Sequence, residues 1–124
     1  MSEAAIIRST AGPALPALIA GAGHRAARRF LEYFTVNIRN RNTRAAYGRA
    51  ATDFLHWCEG QGIDALGRVQ PVHVAAYIEL LQGRRSAPTV KQHLACIRML
   101  FDWLVIGQVM PTNPAHSVRG RVIR

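Results

Sequence analysis

The sequence predicts an all-α domain built from four main helices. Apolar residues recur at the three- and four-residue spacing of amphipathic helices in four separate segments. Glycine, proline and helix-capping residues separate these segments, and no segment alternates between apolar and polar residues as a half-buried strand does. With 124 residues, of which 49% are hydrophobic, the chain is long enough to bury a core as one domain.

The chain divides into three parts by composition. Residues 1–22 are rich in alanine, glycine and proline, and they predict a flexible N-terminal arm with room for a short helical turn over ALPALIAG. Residues 23–118 carry the helical pattern and form the predicted domain. Residues 119–124 form a basic C-terminal tail.

The first two helices are predicted over residues 23–38 and 41–60. The apolar stripe of the first is Ala27, Phe30, Leu31, Phe34 and Ile38. The second has a broader buried face, which consists of Tyr47, Ala50, Ala51, Phe54, Leu55, Trp57 and Cys58. Asn40 or Asn42 is expected to cap the second helix, since an asparagine side chain accepts hydrogen bonds from the free amides of a first turn.

The third helix is predicted to begin at Pro71, because a first turn accommodates a residue without an amide proton. Its apolar stripe is Val74, Tyr77, Ile78 and Leu81, and Gly83 follows it. Ser86 is the expected N-cap of the fourth helix. The core stripe of that helix is Val90, Leu94, Ile97, Phe101 and Leu104. Gly107 ends it, and the PTNP sequence at 111–114 prevents a restart.

The charge of the chain indicates a polyanionic partner. The formal net charge is +9, from 16 basic and 7 acidic residues, and Lys91 is the one lysine. Nucleic acid is the first partner that this charge favours, and an anionic membrane surface is the second. No apolar run reaches the roughly 20 residues of a membrane span, and no signal peptide is evident. Cys58 and Cys96 lie in helical patterns, which fits a reduced, cytoplasmic protein.

The sequence offers no complete catalytic or metal site. The histidines are spread one to a region, without zinc-ligand spacing, and the carboxylates occur singly. Phosphate-binding glycine patterns are absent, and helical positions favour ordinary core cysteines over reactive ones. We therefore expect a binding domain with no metal, no cofactor and no small-molecule substrate.

Two segments carry the motifs of a known family. The first is NRNTRAAYGRAATDFLHWCEGQGI, residues 40–63, and the second is SAPTVKQHLACIRMLFDWLVIGQVMPTNPAHSVRG, residues 86–120. With the helix that starts at Pro71 between them, they resemble the N-terminal core-binding (SAM-like) domain of tyrosine recombinases, the phage integrase family. The matching positions are Thr43, Tyr47, Thr89, Leu94, Ile97, Arg98, Phe101, Trp103, Asn113 and Pro114.

This resemblance implies a four-helix orthogonal bundle that forms one jaw of a C-shaped clamp around duplex DNA. The second and fourth helices would meet the major groove of a recombination half-site during DNA integration or recombination. The implied DNA contacts are Thr43, Arg44, Tyr47, Arg49, Thr89, Lys91, Gln92, His93 and Arg98. The threonines and the lysine suit phosphate contacts, whereas Gln92, His93 and Arg49 suit base edges.

The chain departs from the family pattern in three respects. Asn40 replaces the usual serine cap of the second helix, and Gln70 stands where threonine or serine normally caps the third. The family's catalytic domain should follow residue 120, but the sequence ends at Arg124. We therefore assign no catalytic residue and expect a fragment of a longer recombinase or a truncated gene product. The full-length parent would be a DNA strand-transferring tyrosine recombinase.

Structural alternatives remain for several of these residues. Thr43 and Thr89 are good helix-start residues in any protein, and Tyr47 suits core packing with its hydroxyl at the rim. Arg98 suits a brace within the bundle. At the level of function, the alternative is a helical protein-interaction module whose basic face meets an acidic partner or a sister recombinase protomer. An exposed apolar patch and dimerisation without DNA would favour that alternative.

Overall fold

A computed structural model describes residues 15–36 and 38–119. These residues form five α-helices: α1 (Ala17–Ala20), α2 (His24–Val36), α3 (Arg41–Gly60), α4 (Pro71–Gln82) and α5 (Ala87–Ile106). A 3₁₀ turn, Leu66–Arg68, lies between α3 and α4. No strand occurs in the described residues, so the predicted all-α class is confirmed. Helices α2 to α5 are the four that the sequence predicts.

The predicted caps define how the helices begin. The Asn40 side chain accepts hydrogen bonds from the amides of Asn42 (2.8 Å) and Thr43 (3.1 Å), which fixes the start of α3. The Ser86 hydroxyl accepts one from the amide of Thr89 at 3.4 Å at the start of α5. At the start of α4, Gln70 stands where a threonine or serine cap is usual. His73 compensates for this, since its Nδ1 accepts a hydrogen bond from the Gln70 amide at 2.9 Å.

Helix α5 is the central element of the core. Its buried residues are Val90, Leu94, Cys96, Ile97, Leu100, Phe101 and Leu104. The Phe101 ring meets that of Phe54 on α3 edge to face, with centroids 6.1 Å apart. Phe54 in turn meets Tyr77 of α4, with centroids 5.1 Å apart. Because α3, α4 and α5 share these aromatic contacts, their relative positions are fixed by the packing of large rigid rings.

The buried face of helix α2 matches the predicted apolar stripe only in part, since Ala27 and Phe30 are buried as predicted but other positions differ. The helix ends at Val36, and Leu31 and Phe34 are only half-buried, whereas Tyr33 is fully buried. The Tyr33 hydroxyl donates a hydrogen bond to the carbonyl of Cys96 at 3.3 Å. A tyrosine can occupy the centre of the core because this contact pairs its hydroxyl.

Part of the predicted flexible arm belongs to the packed domain. In helix α1, Leu18 and Ile19 are buried, with 4% and 0% of their surface exposed. The amide of Leu18 donates to Oε2 of Glu59 at 3.2 Å, which joins α1 to the end of α3. The arm boundary at residue 22 is therefore wrong for residues 15–22, because two apolar side chains and one paired amide hold them in place. Residues 1–14 of the arm and 120–124 of the tail lie outside the described residues.

The end of α5 is joined to α2 through an arginine and a tryptophan. The guanidinium of Arg29 lies 3.4 Å from the ring centroid of Trp103, and its Nε donates to the Trp103 carbonyl at 2.9 Å. In return, the indole Nε1 of Trp103 donates to the Arg29 carbonyl at 2.8 Å. Trp103 is therefore a packing residue, as its place in the helical pattern predicts.

Among the described helices, none combines the length and the apolar character needed to cross a membrane.

Candidate nucleic-acid interface

The helices α3 and α5 contact each other near their N-terminal halves. The thiol of Cys96 on α5 donates to the carbonyl of Tyr47 on α3 at 3.3 Å. One helical turn before this contact, about 5.4 Å along each axis, α3 carries Thr43 and α5 carries Gln92. Phe54 and Phe101 meet farther along both helices, so α3 and α5 run in the same general direction. Thr43 and Gln92 therefore both lie toward the helix starts from the contact between Tyr47 and Cys96. We call the region between the helix starts and this contact the α3–α5 seam. Tyr47 itself is half-buried and packs against the core, as the structural alternative predicts.

Four of the predicted contact residues present their side chains to solvent. Thr43 and Arg49 are exposed on α3, and Lys91 and Gln92 are exposed on α5. Ala45 lies between Thr43 and Arg49, one helical turn before Arg49, and Gly48 directly precedes Arg49. Apart from the chain neighbours and the nearby backbone of α3 itself, no described atom lies within 4 Å of a Cβ built on Gly48. The N-terminal half of α3 therefore offers a low surface of small residues, flanked by polar ones.

Thr89 and His93 are less accessible. Thr89 is half-buried, and its Oγ1 accepts a hydrogen bond from the Ser86 hydroxyl at 3.0 Å, so the two residues cap the helix together. His93 is half-buried, and its Nδ1 has no hydrogen-bond partner among the described residues. Burial lowers the pKa of His93 below its usual value, the Arg85 guanidinium lowers it further, and Asp53 opposes them. His93 is therefore neutral at physiological pH and adds no positive charge.

Two predicted contact residues use their guanidinium groups inside the protein. Arg44 donates to the carbonyl of Ile38 from Nε (3.1 Å) and Nη2 (2.9 Å), which braces the connection between α2 and α3. Arg98 donates from Nε to the carbonyl of Ala115 at 3.3 Å and from Nη2 to that of Val118. The bracing alternative for Arg98 thus has a geometric basis, because both of these acceptors are backbone oxygens beyond α5.

The sequence pattern did not single out several further cations near the two helix starts. Arg39 and Arg41 are exposed where α3 begins, and Arg84 and Arg85 are exposed in the turn before α5. The sequence presented them as turn and capping neighbours. The signal that reveals them is positional, since each lies within three residues of a helix N-terminus and is exposed in the structure. The charge of Arg85, in the turn directly before α5, also lowers the pKa of His93.

The acidic residues of the described segments mostly serve the fold. Four carboxylates bind a cation or a polar group of the domain; these are Glu32, Glu59, Asp64 and Asp102. None of these four carboxylates bonds to the exposed cations at the starts of α3 and α5, which are Arg39, Arg41, Arg84, Arg85 and Lys91. Asp53 adds a negative charge farther along α3. Five exposed cations thus lie near the N-terminal ends of the two helices, whereas Arg25, Arg28 and Arg119 are exposed elsewhere.

These cations face the positive ends of helix dipoles. Neither α3 nor α5 carries an acidic residue in its first turn, although the partial positive charge of a helix N-terminus favours acids there. Cations in these places repel the dipole and one another unless an anion lies between them. The arrangement therefore suits phosphate groups, which bind both to free helix amides and to guanidinium groups.

The geometry excludes some other chemistry in the described part of the chain. No group of three or more histidine, cysteine or carboxylate side chains is placed to hold a metal ion there. Both cysteines are buried free thiols. Burial raises the pKa of Cys58 and of Cys96 to about 12, so both thiols are protonated and inert at neutral pH.

Comparison with known proteins gives one family. The model of the phage integrase N-terminal SAM-like domain matches residues 27–109, which is about two thirds of the chain. No curated protein and no solved structure matches. The matched region runs from α2 through the end of α5 and includes the α3–α5 seam. The chain therefore belongs to the phage integrase N-terminal SAM-like domain family.

Proposed function

We propose that this domain binds duplex DNA of a recombination half-site through the N-terminal halves of α3 and α5. The observation that carries the proposal is the set of exposed cations at the starts of these helices, which are Arg39, Arg41, Arg84, Arg85 and Lys91. None of them bonds to Glu32, Glu59, Asp64 or Asp102. The two helices meet at the contact between Cys96 and Tyr47. A single DNA duplex lying along the seam would reach both helix starts.

Each residue at the seam has a proposed role in this complex. Arg39, Arg41 and Lys91 neutralise phosphates, and Thr43 donates its hydroxyl to the backbone. Arg49 and Gln92 reach base edges, since both side chains are long and exposed. The small residues Ala45 and Gly48 let the helix approach the duplex closely.

The other predicted contacts support the interface indirectly. Thr89 shares the helix cap with Ser86. In the proposed complex, its hydroxyl oxygen lies near the phosphates of the DNA. Tyr47 fixes the seam from the core side. Arg44 holds the connection before α3 in the conformation that presents Arg41. Arg98 binds carbonyl groups of the segment that follows α5.

The wider setting of the domain is part of the same proposal. We infer that the parent protein is a tyrosine recombinase that cuts and rejoins DNA through a separate catalytic domain, and that this domain only binds. Two buried free thiols support a reducing, cytoplasmic location. Sister protomers bound to the neighbouring half-site are the expected protein partners.

The proposal is tested by measuring DNA affinity as a function of salt. Fluorescence anisotropy of a labelled duplex of about 30 base pairs gives the dissociation constant at several salt concentrations. The logarithm of the binding constant falls by about 0.9 per tenfold increase in salt for each phosphate that is neutralised. Lys91→Gln and Arg41→Gln should each reduce this slope by about one such unit. Both side chains are exposed and make no bond inside the described residues, so the fold should be unaffected.

Arg68→Gln is the matched control. Arg68 is also an exposed arginine, but it lies in the 3₁₀ turn and pairs with Asp64 at 3.6 Å. It should leave the slope unchanged. Equal slopes for all three variants and the natural protein would exclude the α3–α5 seam as the DNA-binding surface.

One observation favours the alternative of a protein-interaction module. Met99 and Ile106 are large apolar residues on the outer face of α5, with 41% and 71% of their surface exposed. Sedimentation velocity without DNA distinguishes the two functions. Dimerisation that Ile106→Ser abolishes, together with no DNA binding at low salt, would support protein interaction instead.

A further inference from the structure

The segment after α5 is not helical, yet it is firmly attached to the domain. Residues 108–119 follow the helix, and four of them are buried; these are Met110, Pro114, Ala115 and Val118. Ala115 has no exposed surface, and Val118 has 7%. We call residues 110–118 the C-terminal strap. A segment without regular structure that buries this many side chains needs other bonds for its backbone groups.

Two side chains supply most of those bonds. The guanidinium of Arg98 on α5 donates to the carbonyls of Ala115 and Val118. The Asn113 side chain donates to the carbonyl of Arg98 at 3.0 Å and to Oδ1 of Asp102 at 2.8 Å. Its own oxygen accepts from the amide of Ala115 at 2.7 Å. The part of the strap from Asn113 to Val118 is thus bonded to one side of α5, which carries Arg98 and Asp102.

From this geometry we propose that Arg98 is a positioning residue that fixes where the polypeptide leaves the domain. With the strap attached, the described contacts hold the chain as far as Val118. Without it, the free chain starts at Gly107, at the end of α5. The twelve residues from Gly107 to Val118 span up to about 40 Å when extended.

The consequence concerns whatever the following chain carries. A longer free tether lowers the effective concentration of a linked part at the shared ligand and removes the defined direction of exit. Attachment of the strap does not depend on DNA, whereas its use in a clamp rests on the proposed DNA binding. Arg98 therefore acts through the strap, even though its sequence position suggests a DNA contact.

Hydrogen–deuterium exchange of the free protein tests the attachment. In the natural protein, the amides of Ala115, His116 and Val118 should be protected, since each donates within the strap. Arg98→Met keeps much of the aliphatic stem but removes both bonds to the strap. Exchange at these three amides should then be about 10- to 100-fold faster, because hydrogen bonds from charged donors are lost. Amides of α3 should exchange at the natural rate.

A second variant and a DNA measurement keep the test decisive. Asn113→Ala removes the bonds that the strap itself makes to α5 and leaves α5 unchanged. It should speed up hydrogen exchange at the same amides, and it serves as the test if Arg98→Met fails to fold. On DNA, Arg98→Lys keeps the charge but cannot hold both carbonyls, so it should release the strap while leaving the salt slope unchanged. A strap that stays protected in both Arg98→Met and Asn113→Ala would overturn the proposal. A slope that falls by about 0.9 in Arg98→Met, with the strap intact, would show a direct phosphate contact instead.

Discussion

Replacing Gly107 by alanine is expected to destabilise the protein, although the backbone conformation at this position accepts alanine. Gly107 has a φ of −78°, which any residue adopts, so the substitution introduces no backbone strain. The difficulty is space. A Cβ at this position would lie 2.4 Å from Nε and 2.7 Å from Cδ of Arg29. These atoms are the middle of the side chain, and the stack on Trp103 and the bond to its carbonyl hold them in place.

The expected loss follows from the contacts that Arg29 must give up. A cation–π contact contributes about 0.5–2 kcal/mol, and a hydrogen bond from a charged donor contributes about 1.5–3 kcal/mol. Alanine returns about 0.4–1 kcal/mol by restricting the unfolded chain. Since the displaced guanidinium regains water, we expect a net decrease of about 1–3 kcal/mol in the free energy of unfolding.

Urea denaturation followed by tryptophan fluorescence measures this decrease. Gly48→Ala is the matched control, because Gly48 lies inside α3 and the added Cβ meets no described atom within 4 Å beyond its chain neighbours and the nearby backbone of the helix. That variant should be stabilised by about 0.5–1 kcal/mol. In an Arg29→Ala background, Gly107→Ala should become neutral or stabilising. The reasoning is refuted if Gly107→Ala stabilises the natural protein as much as Gly48→Ala does.

Three further predictions concern a cap and two kinds of buried group. Asn40→Ala should lower the free energy of unfolding by about 1 kcal/mol, since two amides at the start of α3 lose their acceptor; Asn40→Ser should restore most of it in the same urea titration. Cys58 and Cys96 stay protonated in the folded protein up to a pKa of about 12, whereas in the unfolded chain they ionise near 9.0. The stability that they contribute is complete below pH 9 and is lost as the pH rises toward 12. The urea midpoint should therefore decrease less from pH 8 to pH 10.5 in a Cys58→Ala, Cys96→Ala variant than in the natural protein. An equal decrease in both proteins would contradict this. The lowered pKa of His93 has the opposite sign, because its contribution is present above the usual value of 6.5 and is lost as the pH falls below it. His93→Gln should reduce the destabilisation between pH 7 and pH 5.

The periodicity of the sequence predicts the helices well because each helix is amphipathic and is bounded by local signals. Asn40, Ser86 and Pro71 act within a few residues of their own positions, so their effect does not depend on the rest of the fold. The apolar stripe of α5 is also the buried stripe in the structure. In α2 the stripe is less informative, because Tyr33 is polar at one end and its burial depends on the distant carbonyl of Cys96.

The surroundings of the basic side chains are predicted less well, because a sequence shows charge but not how a charge is used. Arg44, Arg98 and Lys91 look equivalent as basic residues near or on two helices. The structure shows that the first two bind backbone carbonyls of the protein, whereas Lys91 is exposed. The sequence indicates only turn residues at Arg41 and Arg85, whereas the structure shows that both are exposed near the helix starts.

The sequence by itself determines the all-α class, the four main helices, the caps and the positive charge, because these depend on composition and on contacts between close neighbours. The tertiary structure decides which cations remain available for a ligand, why position 107 is a glycine and where the chain leaves the domain. Each of these depends on groups far apart in the sequence, such as Arg29 with Gly107 and Arg98 with Val118. Helix periodicity carries no record of such pairs, since it reports only the face that each helix turns to the core.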